Sequence, residues 1–377
     1  EPSTAADIRV DETELRLKVW VGVVSELRTV GMGDRFGEDQ VINHPAHSRI
    51  AGLSPARPWR EGDRGPRRDL IRKEVLDAYV HRLNRHPSRR VDLAVSASTD
   101  EGQEPNSVAM DYLIHESKPW IAYAQVSNTG TDATNEWRER VGFVHNQLTG
   151  RDDIFRADFV TASLDDSYAG IMSYEAPFIG TDLVRAKVFG NWSDYTAEDI
   201  GLPGQDLSGT TWTFGGELIA TVYQKESYFI DGFVGIRHED IEVENDLAAT
   251  RGDTDFLIGT VGLRSEQNLP TRSIYSEVAL DFTLDGGATT QIPGLGRLRA
   301  EDEWTLLRWD AGTSFYLEPI FSPGGWKQED GFGSTLANEI SLGLRGQYSF
   351  GDRLIPQQQQ VVGGLYSVRG YPQSAVA

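Results

Sequence analysis

The chain has 377 residues, of which 57 are acidic and 36 are basic, so its formal net charge at pH 7 is -21. A charge this negative argues against binding nucleic acid through phosphate contacts, and we expect no nucleic-acid partner. Cysteine is absent, which excludes disulfides, thiol nucleophiles and cysteine-ligated zinc. No segment approaches the roughly 18 consecutive apolar residues of a membrane-spanning helix, but alternating barrel strands leave only a weak hydropathy trace.

The first third of the chain has the pattern of a small α+β domain. Its predicted elements follow in the order strand, helix, helix, strand, strand, at residues 15–30, 45–53, 69–84, 90–98 and 107–116. Asp69 is a suitable N-cap for the longer helix, and Asn84 is expected at its end. This order within so short a stretch predicts one compact domain.

Two groups of side chains in this part could serve binding. His44 and His47 could ligate a metal, but no third ligand has supporting spacing, so we interpret them as a solvated pair beside a helix start and expect no metal site. The helix flanks carry a basic cluster, composed of Arg67, Arg68, Arg72, Arg82, Arg85, Arg89 and Arg90. Such a cluster is either a solvated face or a contact for a membrane surface or an acidic partner.

From Pro119 onward, apolar and polar residues alternate with the period of a strand that has one apolar and one wet face. Segments of about 9 to 14 residues exceed the usual strand of a soluble sandwich and match tilted membrane-spanning strands. Full charges on the polar face fit a water-filled lumen, with the apolar face toward lipid. The predicted lumen-facing charges are Arg185, Lys187, Glu217, Glu277, Asp281 and Arg345.

The connections between these segments predict short turns at one rim and longer acidic loops at the other, as in outer-membrane barrels. The predicted tight turns are Asn128–Gly130, Pro177–Gly180 and Leu269–Pro270, and the predicted longer loops are 196–208, 239–253, 286–301 and 318–336. We count about eleven strands, whereas single-chain bacterial barrels have an even number. Because an open sheet edge in lipid leaves backbone groups unpaired, we expect further strands beyond the last residue.

Near the C-terminal end, an arginine stands between glycines in the sequence Gly363-Gly364-Leu365-Tyr366-Ser367-Val368-Arg369-Gly370-Tyr371-Pro372. Glycines allow positive φ and close backbone approach, so such a loop can hold a permanently charged guanidinium in place. A small α+β domain, a long alternating region and this Val-Arg-Gly-Tyr sequence together resemble the two-partner-secretion outer-membrane transporters of the haemolysin activation/secretion family.

The resemblance implies a fold and a location. Residues 1–118 would form a periplasmic α+β domain of the polypeptide-transport-associated (POTRA) type. Residues 119–377 would form the front part of an antiparallel transmembrane β-barrel, with about eleven of sixteen strands present, in the bacterial outer membrane.

The resemblance also implies a function, which is the export of a secreted polypeptide client that is unfolded and β-rich. Val368, Arg369, Gly370 and Tyr371 would form a loop that folds back into the barrel and gates it. No cofactor is implied. Two alternatives remain open: a general outer-membrane insertase of the same superfamily, and a soluble β-rich binding protein.

An enzyme is not expected. The carboxylate pairs Asp152-Asp153 and Asp165-Asp166 lie between strand-like segments, where turn chemistry explains them better than catalysis. The sequence contains neither a nucleophile-elbow motif nor a zinc-protease motif.

Overall fold

A computed structural model of the protein describes ten segments of the chain. They are residues 22–59, 67–98, 106–130, 135–164, 167–178, 180–197, 206–246, 248–287, 291–321 and 337–360. In this part of the chain, no helix is long and apolar enough to cross a membrane.

An N-terminal unit contains four strands and two helices: β1 (Val23–Gly33), β2 (Gly37–Ile42), α1 (Ser48–Leu53), α2 (Lys73–Leu83), β3 (Arg89–Ala97) and β4 (Ser107–Glu116). The strands form one sheet in the order β2-β1-β4-β3. β1 and β4 are parallel, and the other two pairs are antiparallel. A parallel pair needs a crossover, which α1, α2 and β3 provide.

The core of this unit lies between α2 and the sheet. Leu76, Tyr79 and Leu83 recur at helical spacing on one face of α2 and are buried, together with residues of α1, β1, β3 and β4. The Tyr79 hydroxyl donates to the Ile50 carbonyl at 2.7 Å, so its burial leaves no unpaired hydroxyl and ties α2 to α1.

The start of α2 differs from the prediction. The helix begins at Lys73 with Arg72 in the N-cap position. Asp69 instead pairs with Arg67 through its carboxylate, and its carbonyl accepts from the Val24 backbone N–H at 2.7 Å. Because residue 70 also bridges to the start of β1, residues 69–71 are held extended and cannot enter the helix. The predicted helix end is confirmed, since Asn84 is the C-cap.

A large antiparallel sheet follows. Its eleven strands are β5 (Trp120–Ser127), β6 (Arg138–Asn146), β7 (Ile154–Ala162), β8 (Ser167–Pro177), β9 (Val184–Ala197), β10 (Leu207–Lys225), β11 (Tyr228–Asn245), β12 (Thr250–Leu269), β13 (Arg272–Gly286), β14 (Thr305–Tyr316) and β15 (Glu339–Tyr348). Each strand pairs with its neighbours in the chain, and β5 and β15 are the two ends of the sheet. The predicted strand number is therefore confirmed.

The two faces of this sheet differ as strand periodicity requires. The apolar face exposes large hydrophobic side chains from many strands, such as Val141, Phe159, Val188, Phe214, Leu218, Val234, Leu263, Val278 and Leu344. The opposite face, here called the charged face, carries paired arginines, lysines and carboxylates. A continuous exposed apolar surface of this extent marks a face that meets something other than water.

At one end of the charged face, a second apolar core covers the strands. Ile241, Val243, Phe256 and Ile258 on β11 and β12 are buried there, next to Ile292, Leu295, Trp304, Leu306, Leu354 and Ile355. The segment after β15 therefore folds back over the sheet. A 3-10 turn at Ile292–Leu295 completes this core.

The connections alternate between two rims, and the predicted loop pattern is only partly right. The rim next to the N-terminal unit carries the connections 147–153, 178–183, 226–227, 270–271 and 317–338, and the far rim carries 128–137, 163–166, 198–206, 246–249 and 287–304. The predicted turn at Leu269–Pro270 and the long loops near 196–208 and 286–301 are confirmed.

Two predicted connections are wrong, and one lies at the other rim from the one predicted. The turn at Asn128–Gly130 belongs to the longer connection 128–137. The predicted loop 239–253 is mostly strand, because Ile241 and Val243 continue the buried alternation of β11 between acidic residues. The predicted long connection at 318–336 is confirmed, since residues 317–338 separate β14 from β15. It lies at the rim that holds the short turns, however, which breaks the predicted rule of one short rim and one long rim.

Candidate functional site

A cavity of about 630 Å³ lies against the charged face of the large sheet. Side chains from seven consecutive strands, β9 to β15, line it together with residues 357–360. Its charged lining residues are Glu217, Arg237, Glu239, Glu277, Arg308, Asp310 and Arg345. A cavity that reaches seven strands requires a sheet that curves around it, so the charged face is the inner face of that curve.

The six charges predicted for a lumen all lie on this face and all have ion-pair partners. The pairs are Arg185 with Glu175 and Asp231, Lys187 with Glu217, Glu277 with Arg264, Asp281 with Arg237 and Arg308, and Arg345 with Asp310. Cross-strand pairing of opposite charges explains how so many ionic groups share one surface.

The most enclosed of these groups is Asp281 on β13, whose side chain is fully buried. It accepts hydrogen bonds from Arg237 at 3.1 Å and from Thr260 at 2.9 Å, and it also pairs with Arg308. Arg237 in turn donates to Glu239 at 2.6 Å. These contacts link β11, β12, β13 and β14 through one network of charge-assisted hydrogen bonds.

The segment after β15 lies across the same cavity. Leu354 and Ile355 are buried in the apolar core at the far rim, and the glutamines that follow turn toward the charged residues. Gln358 donates to Glu239, and the Gln360 backbone N–H donates to the Gln347 side chain at 2.9 Å. The chain that leads toward the Val-Arg-Gly-Tyr sequence is therefore held against the inner wall up to residue 360. Val368, Arg369, Gly370 and Tyr371 themselves lie outside the described residues.

The basic cluster of the N-terminal unit makes an acidic contact within the same chain. Arg85, at the end of α2, donates to Asp231 on β11 at 2.6 Å and to Glu266 on β12 at 2.6 Å. Arg82 donates to Asp182 at 2.6 Å. Of the two predicted alternatives for this cluster, a solvated face is therefore wrong for these arginines.

Arg89 extends this contact to the connection between β6 and β7. It donates to Asp152 at 2.5 Å, and Arg49 donates to the other carboxylate oxygen at 3.1 Å. Burial alone would raise the pKa of Asp152, but the charge of Arg89 and a hydrogen bond from Gln147 hold it below its ordinary value. Asp152 is therefore an anion that ties the two parts of the chain together.

The neighbouring carboxylate fits the predicted role in a turn. Asp153 accepts from the backbone N–H groups of Thr149 and Arg151, as a turn residue does. The other predicted carboxylate pair, Asp165-Asp166, lies outside the described residues.

The histidine prediction is wrong in one respect. His47 is buried, not solvated, with its Nε2 atom 3.6 Å from Glu116. Gly31 and Phe36 close around it, because a Cβ at Gly31 would lie 2.9 Å from the His47 ring. Among the described residues, no group of three or more ligating side chains could hold a metal ion.

The sequence profile of the family described as "Haemolysin secretion/activation protein ShlB/FhaC/HecB" matches residues 113–377. The chain belongs to this family. The resemblance predicted from the residues is thereby confirmed, and the haemolysin secretion/activation family is one of secretion proteins and not of enzymes.

Among curated proteins, this chain is similar to the "Heme/hemopexin transporter protein HuxB" of Haemophilus influenzae (strain 86-028NP), with 20% identity over 312 residues. The match covers 82% of this chain and 51% of the relative, so the chain spans about half the length of the curated relative.

Solved structures share the fold. CdiB from Escherichia coli matches with a TM-score of 0.64 and 15% identity, over 93% of this chain and 58% of that one. CdiB from Acinetobacter baumannii matches with a TM-score of 0.63 and 14% identity, over 93% of this chain and 57% of that one. BamA from Haemophilus ducreyi lacking POTRA domains 1-3 matches with a TM-score of 0.51 and 14% identity, over 93% of this chain and 61% of that one.

Proposed function

We propose that this chain is part of an outer-membrane translocase that exports a partner polypeptide. The observation that carries the proposal is the two-sided sheet of a haemolysin secretion/activation protein. Its exposed apolar face suits lipid, and its charged face surrounds a cavity of about 630 Å³. A client inside such a pore stays hydrated, since paired charges offer hydrogen bonds without a large net field.

The N-terminal unit is assigned to the periplasm. Its mixed sheet with two helices on one side fits a POTRA-type domain, so residues 1–118 are proposed as that domain and residues 119–377 as the barrel part. β3 is an edge strand of that sheet, and the exposed Val95 lies on it. A client in extended conformation can add to such an edge through backbone hydrogen bonds.

Residues Val368, Arg369, Gly370 and Tyr371 are proposed as the gate, and Arg185, Lys187, Glu217, Glu277, Asp281 and Arg345 as pore-lining charges. The course of residues 354–360 along the inner wall supports the first assignment, because it directs the chain toward the cavity. Neither assignment requires a cofactor or a catalytic step.

The function is tested in the complete natural protein by exchanging Arg369 for alanine. We expect less client in the medium, by immunoblot, with an unchanged amount of heat-modifiable transporter in the outer membrane. Arg353→Ala is the matched control, since Arg353 is exposed in the preceding segment. Unchanged client export in Arg369→Ala would refute the gate.

The fold of BamA favours a second candidate, general insertion of outer-membrane proteins. Deletion of the gene separates the two. Loss of one secreted partner with normal outer-membrane proteins supports export, whereas a general loss of outer-membrane proteins supports insertion.

A further inference from the structure

The end of α2 lies at the mouth of the curved sheet. Arg85 reaches past the rim to the charged face, where its guanidinium donates to both carboxylate oxygens of Asp231, at 3.2 and 2.6 Å. It also donates to Thr221 on β10 at 3.1 Å and lies 4.4 Å above the Phe229 ring. One side chain of the N-terminal unit thus contacts β10, β11 and β12 from inside the curve.

The remaining contacts close the gap around this side chain. Arg82 pairs with Asp182, Arg89 with Asp152, and the Gln224 side chain donates to the Ala78 carbonyl at 2.7 Å. The space between α2 and the rim is a cavity of only about 80 Å³, and a second cavity of about 440 Å³ lies between α1 and the connections 147–153 and 178–183. Side chains fill the gap beside α2, so no polypeptide can pass between α2 and this stretch of rim.

We propose that α2 is an autoinhibitory latch, in which Arg85 holds the N-terminal unit across the near mouth until a client displaces it. This proposal rests on the proposed function, since it assigns a regulatory contact to the same pore. The latch is distinct from the proposed gate at Val368–Tyr371, because it is formed by other residues, those of α2 and the near rim.

The chemistry of Asp231 makes the contact reversible. Its side chain is 2% exposed, and a carboxylate so buried must keep a partner when the latch opens. Arg185 donates to it at 2.7 Å and Thr221 at 2.7 Å, both from the same sheet. Asp231 therefore remains paired after Arg85 leaves, and the sheet stays intact.

The strength of the latch also suits release. The Arg82 and Asp182 side chains are 20% and 22% exposed, so water screens this ion pair. The Arg89–Asp152 pair is more enclosed, with side chains 4% and 15% exposed. One screened pair and two enclosed contacts, at Arg85 and Arg89, hold the mouth closed through a small number of separable contacts. A client that adds to the sheet of the N-terminal unit can pull α2 away one pair at a time.

The first test is the conductance of the complete protein in a planar lipid bilayer without a client. Arg85→Ala is expected to raise the open fraction about tenfold, the factor that corresponds to about 1.4 kcal/mol. Arg90→Ala is the matched control, because the Arg90 side chain is 80% exposed and pairs only locally with Asp92 among the described contacts. An open fraction in Arg85→Ala equal to that of Arg90→Ala would overturn the latch.

A charge exchange separates an opened latch from a misfolded protein. Arg82→Asp and Asp182→Arg should each raise the conductance, since each places like charges together at the rim. The double variant restores the pair and should return the conductance to the parental level. If the double variant conducts as much as the single variants, the contact is not a latch.

A cross-link tests whether the latch must open during export. The chain lacks cysteine, so Ala78→Cys with Gln224→Cys can be joined by a reducible thiol cross-linker. Client export should stop in the cross-linked protein and resume on reduction. If the cross-linked protein exports its client undiminished, the latch is refuted. If no variant exports the client but the conductance differences remain, the proposed client is refuted instead.

Discussion

The network at Asp281 allows a quantitative test of what burial adds to an ion pair. Asp281 and Asp310 lie on neighbouring strands and both pair with arginines on the charged face, but Asp281 is fully buried and Asp310 is 36% exposed. We expect Asp281→Ala to lower the free energy of unfolding by about 2–3 kcal/mol. This lies below the roughly 3–5 kcal/mol of a broken buried pair, because Arg237 keeps Glu239 and Arg308 is half exposed.

Asp310→Ala should cost no more than about 1 kcal/mol, the value typical of exposed pairs. The assay is urea unfolding in detergent micelles, followed by tryptophan fluorescence, with the midpoints compared at equal m-values. Asp281→Asn keeps the shape of the side chain and can still accept the hydrogen bond from Thr260, so its midpoint shift measures the effect of removing the negative charge. Equal midpoint shifts for Asp281→Ala and Asp310→Ala would refute the reasoning from burial.

Two further predictions concern the outer face and the pH response. Val234→Arg on the apolar face should lower the yield of membrane-inserted protein, because an arginine facing lipid costs about 2–4 kcal/mol at the midplane. Val234→Leu is its control, and equal yields would contradict a lipid-facing position. Burial and the charge of Arg89 lower the pKa of His86 from 6.5 to about 4, so the unfolded chain takes up a proton first as the pH falls. The contribution of neutral His86 to stability is fully present above pH 6.5 and should decline toward pH 4. The decline is measured as faster hydrogen exchange in α2, and His86→Asn should make the stability less dependent on pH.

Alternation predicted the large sheet well, because one residue in two has to face each side of a strand. The prediction failed where acidic residues stand between the apolar residues of a strand. Glu239, Glu242 and Glu244 suggested a loop, yet Ile241 and Val243 between them are buried on the inner face of β11. The apolar core formed with Leu354 and Ile355 supplies the surface that buries them, and no local pattern reveals a contact so distant in the chain.

The sequence predicted on which face of the sheet the charged residues lie, but it did not predict their ion-pair partners. Arg85 was identified as a basic residue at a helix end, but Asp231 lies 146 positions further along the chain. Asp231 and Arg237 were missed, although each occupies an inward-facing position of β11 and follows the same alternation as the predicted charges. A systematic count of charges at alternate positions would have found both.

The neighbour-only pairing of the large sheet has a consequence for how the protein assembles. β10 to β13 are among the longest strands, and the connections between them are residues 226–227, 246–249 and 270–271. Closing so short a connection costs little chain entropy, and each strand added completes its backbone hydrogen bonds against a partner already in place. The sheet can therefore grow hairpin by hairpin from this centre, so that only its two edge strands lack a partner on one side at any stage.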